Sequence, residues 1–157
     1  MHTLTLGTRT FTILRAQAQD VPQLVALLAD DVLGRERESA DLGPYEQAFE
    51  QIDQDENQLL LAVRDEPGQI VATMQLTLLP SLSRGGATRL QIEAVRVAAS
   101  TRGSGLGTAL FEWAHQWGRE HGAQLAQLTT DAARTDAQRF YDGLGYAPSH
   151  VGLKRPL

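Results

Sequence analysis

The stretch VRVAASTRGSGLGTALFEWA, Val95 to Ala114, joins three patterns. An alternating strand end (Val95, Val97) runs into Arg102-Gly103-Ser104-Gly105-Leu106-Gly107. A helical repeat follows on Leu106, Leu110, Trp113 and Trp117, with Gly122 as its stop. A strand that turns through glycines into a helix leaves backbone N–H groups free at the positive end of the helix dipole, where phosphate or pyrophosphate is the natural ligand. Glycine allows close approach and positive φ, and Arg102 adds charge beside such a ligand. Two familiar phosphate loops fit poorly: the turn has no lysine for a P-loop, and Rossmann spacing places its third glycine at Thr108. A plain tight turn is the remaining reading.

Upstream, Leu90, Ile92 and Ala94 occupy even positions, whereas Val95 and Val97 occupy odd ones. Two readings fit this slip: a β-bulge near Glu93 to Val95, or a strand buried on both faces. RTFTILRA reads as a first strand, and DVPQLVALLADD as a helix with Asp20 as N-cap and Val21, Leu24, Leu27 and Leu28 on one face. Pro44 opens a second helix carrying Tyr45, Phe49 and Ile52. NQLLLAVRD and GQIVATMQLTLLP form a hairpin through Glu66-Pro67-Gly68. AQLAQLTTD is a further strand, Thr135-Asp136-Ala137-Gln138 starts a helix with Ala137, Phe140 and Leu144 on one face, and HVGLKRP predicts a last short strand. The order is that of one mixed α/β domain spanning 1–157.

Composition sets the outer limits. A chain of 157 residues with 42% hydrophobic and 21% charged residues is an ordinary globular domain, with no apolar run long enough for a membrane span. The start lacks the features of a signal peptide, which points to the cytoplasm. With no cysteine, thiolate nucleophiles and Cys-ligated zinc are excluded. His115, His121 and His150 lack close metal-ligand spacing, so no metal is predicted. A net charge of −5 argues against nucleic acid as a partner. Leu28 to Asn57 holds ten acids against Arg35 and Arg37, net −8, which leaves the rest at +3. That acidic stretch reads either as solvated helix surface or as a rim that attracts cationic amines.

Arg102-x-x-Gly105-x-Gly107 after Val95-x-Val97 resembles the acyl-CoA loop of the GCN5-related N-acetyltransferases. RTDAQRFYDGLGYAPSHVGLK, about 35 residues on, is similar to that family's closing segment, with Ala137, Tyr141, Gly145 and Tyr146 in place. The ending resembles the subgroup that includes aminoalkylphosphonate acetyltransferases. The resemblance implies a mixed, mostly antiparallel twisted sheet flanked by about four helices, with splayed central strands and a bulge, and so favours the bulge here. It implies acetyl-CoA as co-substrate: backbone groups of Val95 and Val97 meet the pantetheine arm, and Arg102 and the loop Gly103, Ser104, Gly105, Leu106, Gly107 and Thr108 meet the pyrophosphate. Where the family often has Asn, this chain has Arg134, which either reaches the CoA phosphates or faces solvent.

Acetyl transfer to an amine needs a neutral amine, a polarised carbonyl and a proton for the departing thiolate. Glu93, an acid in an apolar strand, is the candidate base, its burial suiting it to take a proton directly or through water; the other reading is a strand acid paired with Arg89 or Arg96. Tyr141 lies one position off its helix's apolar stripe, so its ring need not be core. By resemblance it is the general acid, against a phenol bonded to backbone. Thr129 and Thr130 contact cofactor or substrate, or are structural. His150 lines the acceptor site or lies at the surface. The expected activity is N-acetyl transfer to a primary amine of a small molecule or peptide, the alternative a non-catalytic acyl-CoA-binding regulatory module. Open strand edges admit a homodimer.

Overall fold

The computed structural model describes residues 1–30 and 38–157. Six strands form one sheet in sequence order, β1 (His2–Leu6), β2 (Arg9–Arg15), β3 (Gln58–Asp65), β4 (Ile70–Leu79), β5 (Thr88–Val97) and β6 (Ala123–Leu128). Neighbours pair antiparallel except β5 and β6, which are parallel. Helix α1 (Val21–Ala29) and α2 (Gly43–Gln54) separate β2 from β3, α3 (Leu106–Glu120) crosses between β5 and β6, and α4 (Thr135–Gly143) follows β6.

Two strand expectations are corrected at the chain ends. His2–Leu6 is a strand ahead of the expected first one, turned back by Gly7 at φ 62°, and Leu4 and Leu6 lie against the core. HVGLKRP forms no strand: residues 147–157 carry no regular structure and Val151, Leu153 and Leu157 are exposed. The turn at Glu66-Pro67-Gly68 is as expected, closed by the Gly68 N–H on Asp65 O at 2.9 Å. Asp20 precedes α1, but its carboxylate does not cap that helix. It is buried, accepts from the Gln17 N–H at 3.0 Å and meets Arg64 at 2.6 Å across the sheet.

The bulge is in β5. Thr73 faces Arg96 and Gln75 faces Glu93, so Ala94 and Val95 together stand opposite Met74. Ala94 absorbs the extra residue at φ 52°, a conformation a non-glycine residue rarely adopts. The slip moves the inward face from Leu90 and Ile92 to Val95 and Val97, all in the same core cluster. Pairing of β5 with β6 stops at Ile92 and Leu128, while β5 continues to Val97 on β4 alone. The strands therefore part just where the glycine loop begins.

The core has two layers. Phe11, Ile13, Leu61, Val63, Met74, Leu76, Leu90 and Ile92 meet Leu106, Leu110, Phe111 and Ala114 of α3 on one face. Val21, Leu24 and Val25 of α1 and Phe49 of α2 cover Ala62 on the other. Leu106 and Leu110 of α3 are buried as expected, but the inward stripe continues through Phe111, Ala114 and Gly118, with Trp113 and Trp117 only half-buried. A methyl group on Gly118 would stand 2.8 Å from Leu90 Cδ2, so the helix approaches the sheet too closely there for a larger side chain.

Candidate active site

The glycine loop has the predicted character. Gly103 lies at φ 78° and Gly105, the N-cap of α3, at φ 83°, with open space around both. The Ser104 hydroxyl donates to Thr101 O at 2.6 Å and its N–H reaches the same carbonyl at 3.3 Å, which folds the turn onto itself. The N–H groups of Gly103, Gly105, Gly107 and Thr108 have no acceptor among the described residues. Four free donors thus converge at the start of a 15-residue helix, an arrangement suited to an anion.

On β5, the N–H of Ala98 donates to Val71 O across to β4, so by strand alternation the polar groups of Val95 and Val97 face the gap left where β6 departs. Val95 O accepts from the Arg96 side chain at 2.8 Å, and Val97 O from Arg102 Nε at 3.4 Å. Neither carbonyl is held by a strand on that side. Arg102 is exposed beside the loop.

Helix α4 joins this place to the second motif. A Cβ on Gly107 would lie 3.4 Å from Phe140 Cζ, so the third glycine stands against a ring of α4. The Tyr141 ring is half-buried, edge-on to Phe111 at 5.6 Å, Phe140 at 5.5 Å and Tyr146 at 6.1 Å. This corrects the sequence reading: Tyr141 packs against the core, whereas Phe140, expected inside, is 37% exposed. The Tyr141 hydroxyl makes no hydrogen bond among the described residues. Burial pushes its pKa above the ordinary phenol value, and Arg134 and Arg96 work in the opposite direction. Arg134 is the exposed N-cap of α4 and stands near enough to Tyr141 to act on it electrostatically.

The spacing of the second motif has a backbone cause. Tyr146 N–H donates to Tyr141 O at 3.0 Å and Gly145 N–H to Asp142 O at 2.9 Å, with Gly145 at φ 85°. These are the paired bonds of a Schellman ending, which needs a left-handed residue at Gly145 and folds the next side chain back onto Tyr141.

Glu93 is exposed, not buried as expected, and no ion pair among the described residues joins it to Arg89 or Arg96. It shares a sheet face with a polar row that sequence reasoning passed over. Gln127 Nε2 donates to Gln91 Oε1 at 2.7 Å, Arg89 to Gln127 Oε1 at 3.4 Å, and Gln58 Oε1 accepts from Gln75 at 2.8 Å and Thr77 at 3.0 Å. The signal was present in the polar odd positions Arg89, Gln91 and Glu93. His150 is exposed and bonded to Ser149 at 2.8 Å, and Thr129 and Thr130 lie just past β6. Among the described residues no cluster suits a metal ion, and no helix is long and apolar enough to cross a membrane. Asp31, Arg35, Glu36 and Arg37 of the acidic stretch lie outside the described residues. Within the rest, Asp53 pairs with Arg15 at 3.1 Å, Glu38 accepts from Tyr45 Oη at 2.8 Å, and Asp41 caps the Gly43 N–H at 3.1 Å.

A bulged strand parts from its parallel neighbour, and a glycine turn leads into a helix beside the gap. The model of the acetyltransferase (GNAT) family matches residues 24–146, and the chain belongs to that family. It is 37% identical to the aminoalkylphosphonate N-acetyltransferase of Salmonella typhimurium over 67 residues, a match that spans 43% of this chain and less than half, 44%, of that relative. An uncharacterized N-acetyltransferase of Bacillus subtilis, YhdJ, is 27% identical over 80% of this chain and 87% of its own. Among solved structures, a protein described as a transcriptional regulator from Bacillus halodurans superposes with a TM-score of 0.88 at 42% identity, covering 94% of this chain and 99% of that one. Glucosamine-6-phosphate N-acetyltransferase from Arabidopsis thaliana, at 20% identity and a TM-score of 0.76 over 93% and 97% of the two chains, shares the fold. The protein is an acyltransferase of this family.

Proposed function

We propose that this chain, as one domain acting in the cytoplasm, transfers acetyl from acetyl-CoA to a primary amine of a small molecule or peptide by direct attack. The observation that carries the reading is the set of four unpaired N–H groups at the start of α3, immediately beside the helix that bears Tyr141. Those donors, with Ser104, Leu106 and Arg102, take the pyrophosphate, and Arg134 adds positive charge at the head of α4. The unpaired edge of Val95 and Val97 takes the pantetheine amides as a short strand. Tyr141 supplies the proton to the departing sulfur. Glu93, exposed beside the bulge, takes the proton from the amine through water.

The test is a thiol-release screen with acetyl-CoA over aminoglycosides, polyamines, amino acids, aminophosphonates and peptide N-termini, with calorimetry against ATP and NAD beside it. Acetyl-CoA binding without preference over ATP or NAD sinks the donor assignment. Aminophosphonates enter the panel because of the Salmonella relative. A second reading, a non-catalytic acyl-CoA-binding regulator, is favoured by the Bacillus halodurans neighbour's description. It predicts tight acetyl-CoA binding with no thiol release from any amine.

The loop has its own prediction. Gly105 lies at φ 83° with nothing within 4 Å of the place a Cβ would take, so Gly105→Ala acts through backbone strain alone. A left-handed alanine costs about 1–2 kcal/mol. If the free loop relaxes away from that conformation, binding must restore it, and the Kd for acetyl-CoA rises roughly 5–30-fold by calorimetry. If the free loop instead keeps that conformation, Kd is unchanged and the same cost appears as about 1–2 kcal/mol lost from the unfolding free energy; no change in either quantity overturns the strain assigned to Gly105.

A further inference from the structure

We propose that His115 is a positioning residue for Tyr141 and acts through Tyr146; this rests on the proposed role of Tyr141. His115 Nε2 and Tyr146 Oη share a hydrogen bond of 2.7 Å, 31 residues apart in sequence. His115 lies on α3, about two and a half turns past the glycine loop, and is edge-on to Phe111 at 6.0 Å. Tyr146 is tied to Tyr141 twice, by its N–H on Tyr141 O at 3.0 Å and by ring contact at 6.1 Å.

The need for such an anchor follows from α4 itself. It has nine residues and none fully buried, so the core does not fix it by enclosure. Besides Phe140 beside Gly107, rings meet rings: Phe140 and Tyr141 lie on Phe111, and Tyr146, just past the helix, on Phe111 at 6.1 Å. The edge-on rings set the face on which α4 lies, and a hydrogen bond of 2.7 Å adds a fixed distance and direction to them. The His115–Tyr146 bond therefore sets where α4 ends relative to α3. The free anion donors sit at the other end of α3, so one helix carries both the donor site and the anchor of the acid. Burial lowers the His115 pKa, assisted by Arg119 and opposed by Glu112, and the imidazole is neutral near pH 7; Tyr146 is pushed up to about 12 by burial and stays a phenol.

Three tyrosines make the test direct. In protein labelled at tyrosine 13Cζ, His115→Leu is expected to shift the Tyr146 and Tyr141 signals and leave Tyr45 in place, while His115→Gln keeps them near their original positions. An unmoved Tyr141 signal overturns the proposal. In turnover with an amine that the thiol-release screen returns, Tyr146→Phe and His115→Leu each lower kcat about tenfold, less than the ~10²-fold cost of a full 1 Å misplacement. His115→Gln restores most of it. In a Tyr141→Phe background the same substitutions add no further loss. An equal loss in both backgrounds overturns positioning and leaves the role of Tyr141 standing, whereas a Tyr141→Phe variant that turns over normally removes that role and the proposal with it.

Discussion

Tyr141→Phe lowers turnover by about 10²–10⁴-fold, the contribution of a placed general acid, and leaves the Kd for acetyl-CoA within about twofold. The substitution removes one oxygen and keeps the ring against Phe111, Phe140 and Tyr146, so the packing of α4 survives. That oxygen bonds to nothing among the described residues, and its loss costs the folded state little. Its protonation state suits the task. Burial, the largest influence, raises the phenol above its ordinary pKa of 10.0, and Arg134 and Arg96 only partly offset this. The acid form is the active one, so the Tyr141 contribution is flat through neutral pH and is lost on an alkaline limb as pH rises through its raised pKa. In the Phe variant that alkaline limb disappears along with the rate. Thiol release at saturating acetyl-CoA, followed across pH, checks both, and wild-type turnover in the variant sinks the assignment.

The glycine turn was legible because local backbone demands write themselves into sequence: glycines mark positive φ at Gly103 and Gly105. The parity slip before it fitted a bulge or a strand buried on both faces, and the resemblance rather than the pattern favoured the bulge found at Ala94. Longer-range relations left weaker traces. On α3, Leu106 and Leu110 were legible, but a 3.6-residue period allows stripes offset by one position, and the aromatic weight of Trp113 and Trp117 drew the second half of the stripe one position off. Close approach to Leu90 selects a small residue at Gly118, a demand made by the sheet rather than by the helix. Glu93 was read as buried from apolar neighbours, although Arg89 and Gln91, its partners in alternation, already indicated a polar face. The bond from His115 to Tyr146 has no spacing signature, since it exists only once α4 folds against α3.

The second large effect is expected at Phe111, which ties stability to chemistry. Its side chain is fully buried and its ring lies within 6.1 Å of the rings of His115, Phe140, Tyr141 and Tyr146. Truncation removes the surface against which Phe140 and Tyr141 of α4 pack, and the polar Tyr141 and His115 border the vacancy. Phe111→Ala lowers the unfolding free energy by about 3–5 kcal/mol, read from chemical denaturation. For a chain of 157 residues, that corresponds to a fall in Tm of roughly 6–20 °C. Phe111→Leu retains most of the apolar volume but none of the edge-on geometry. It separates the two consequences: most of the stability returns, while turnover remains well below wild type because the Tyr141 ring has lost the face that orients it. If turnover in Phe111→Leu recovers in step with stability, Phe111 serves the fold alone, and the ring cluster does not set the place of the acid.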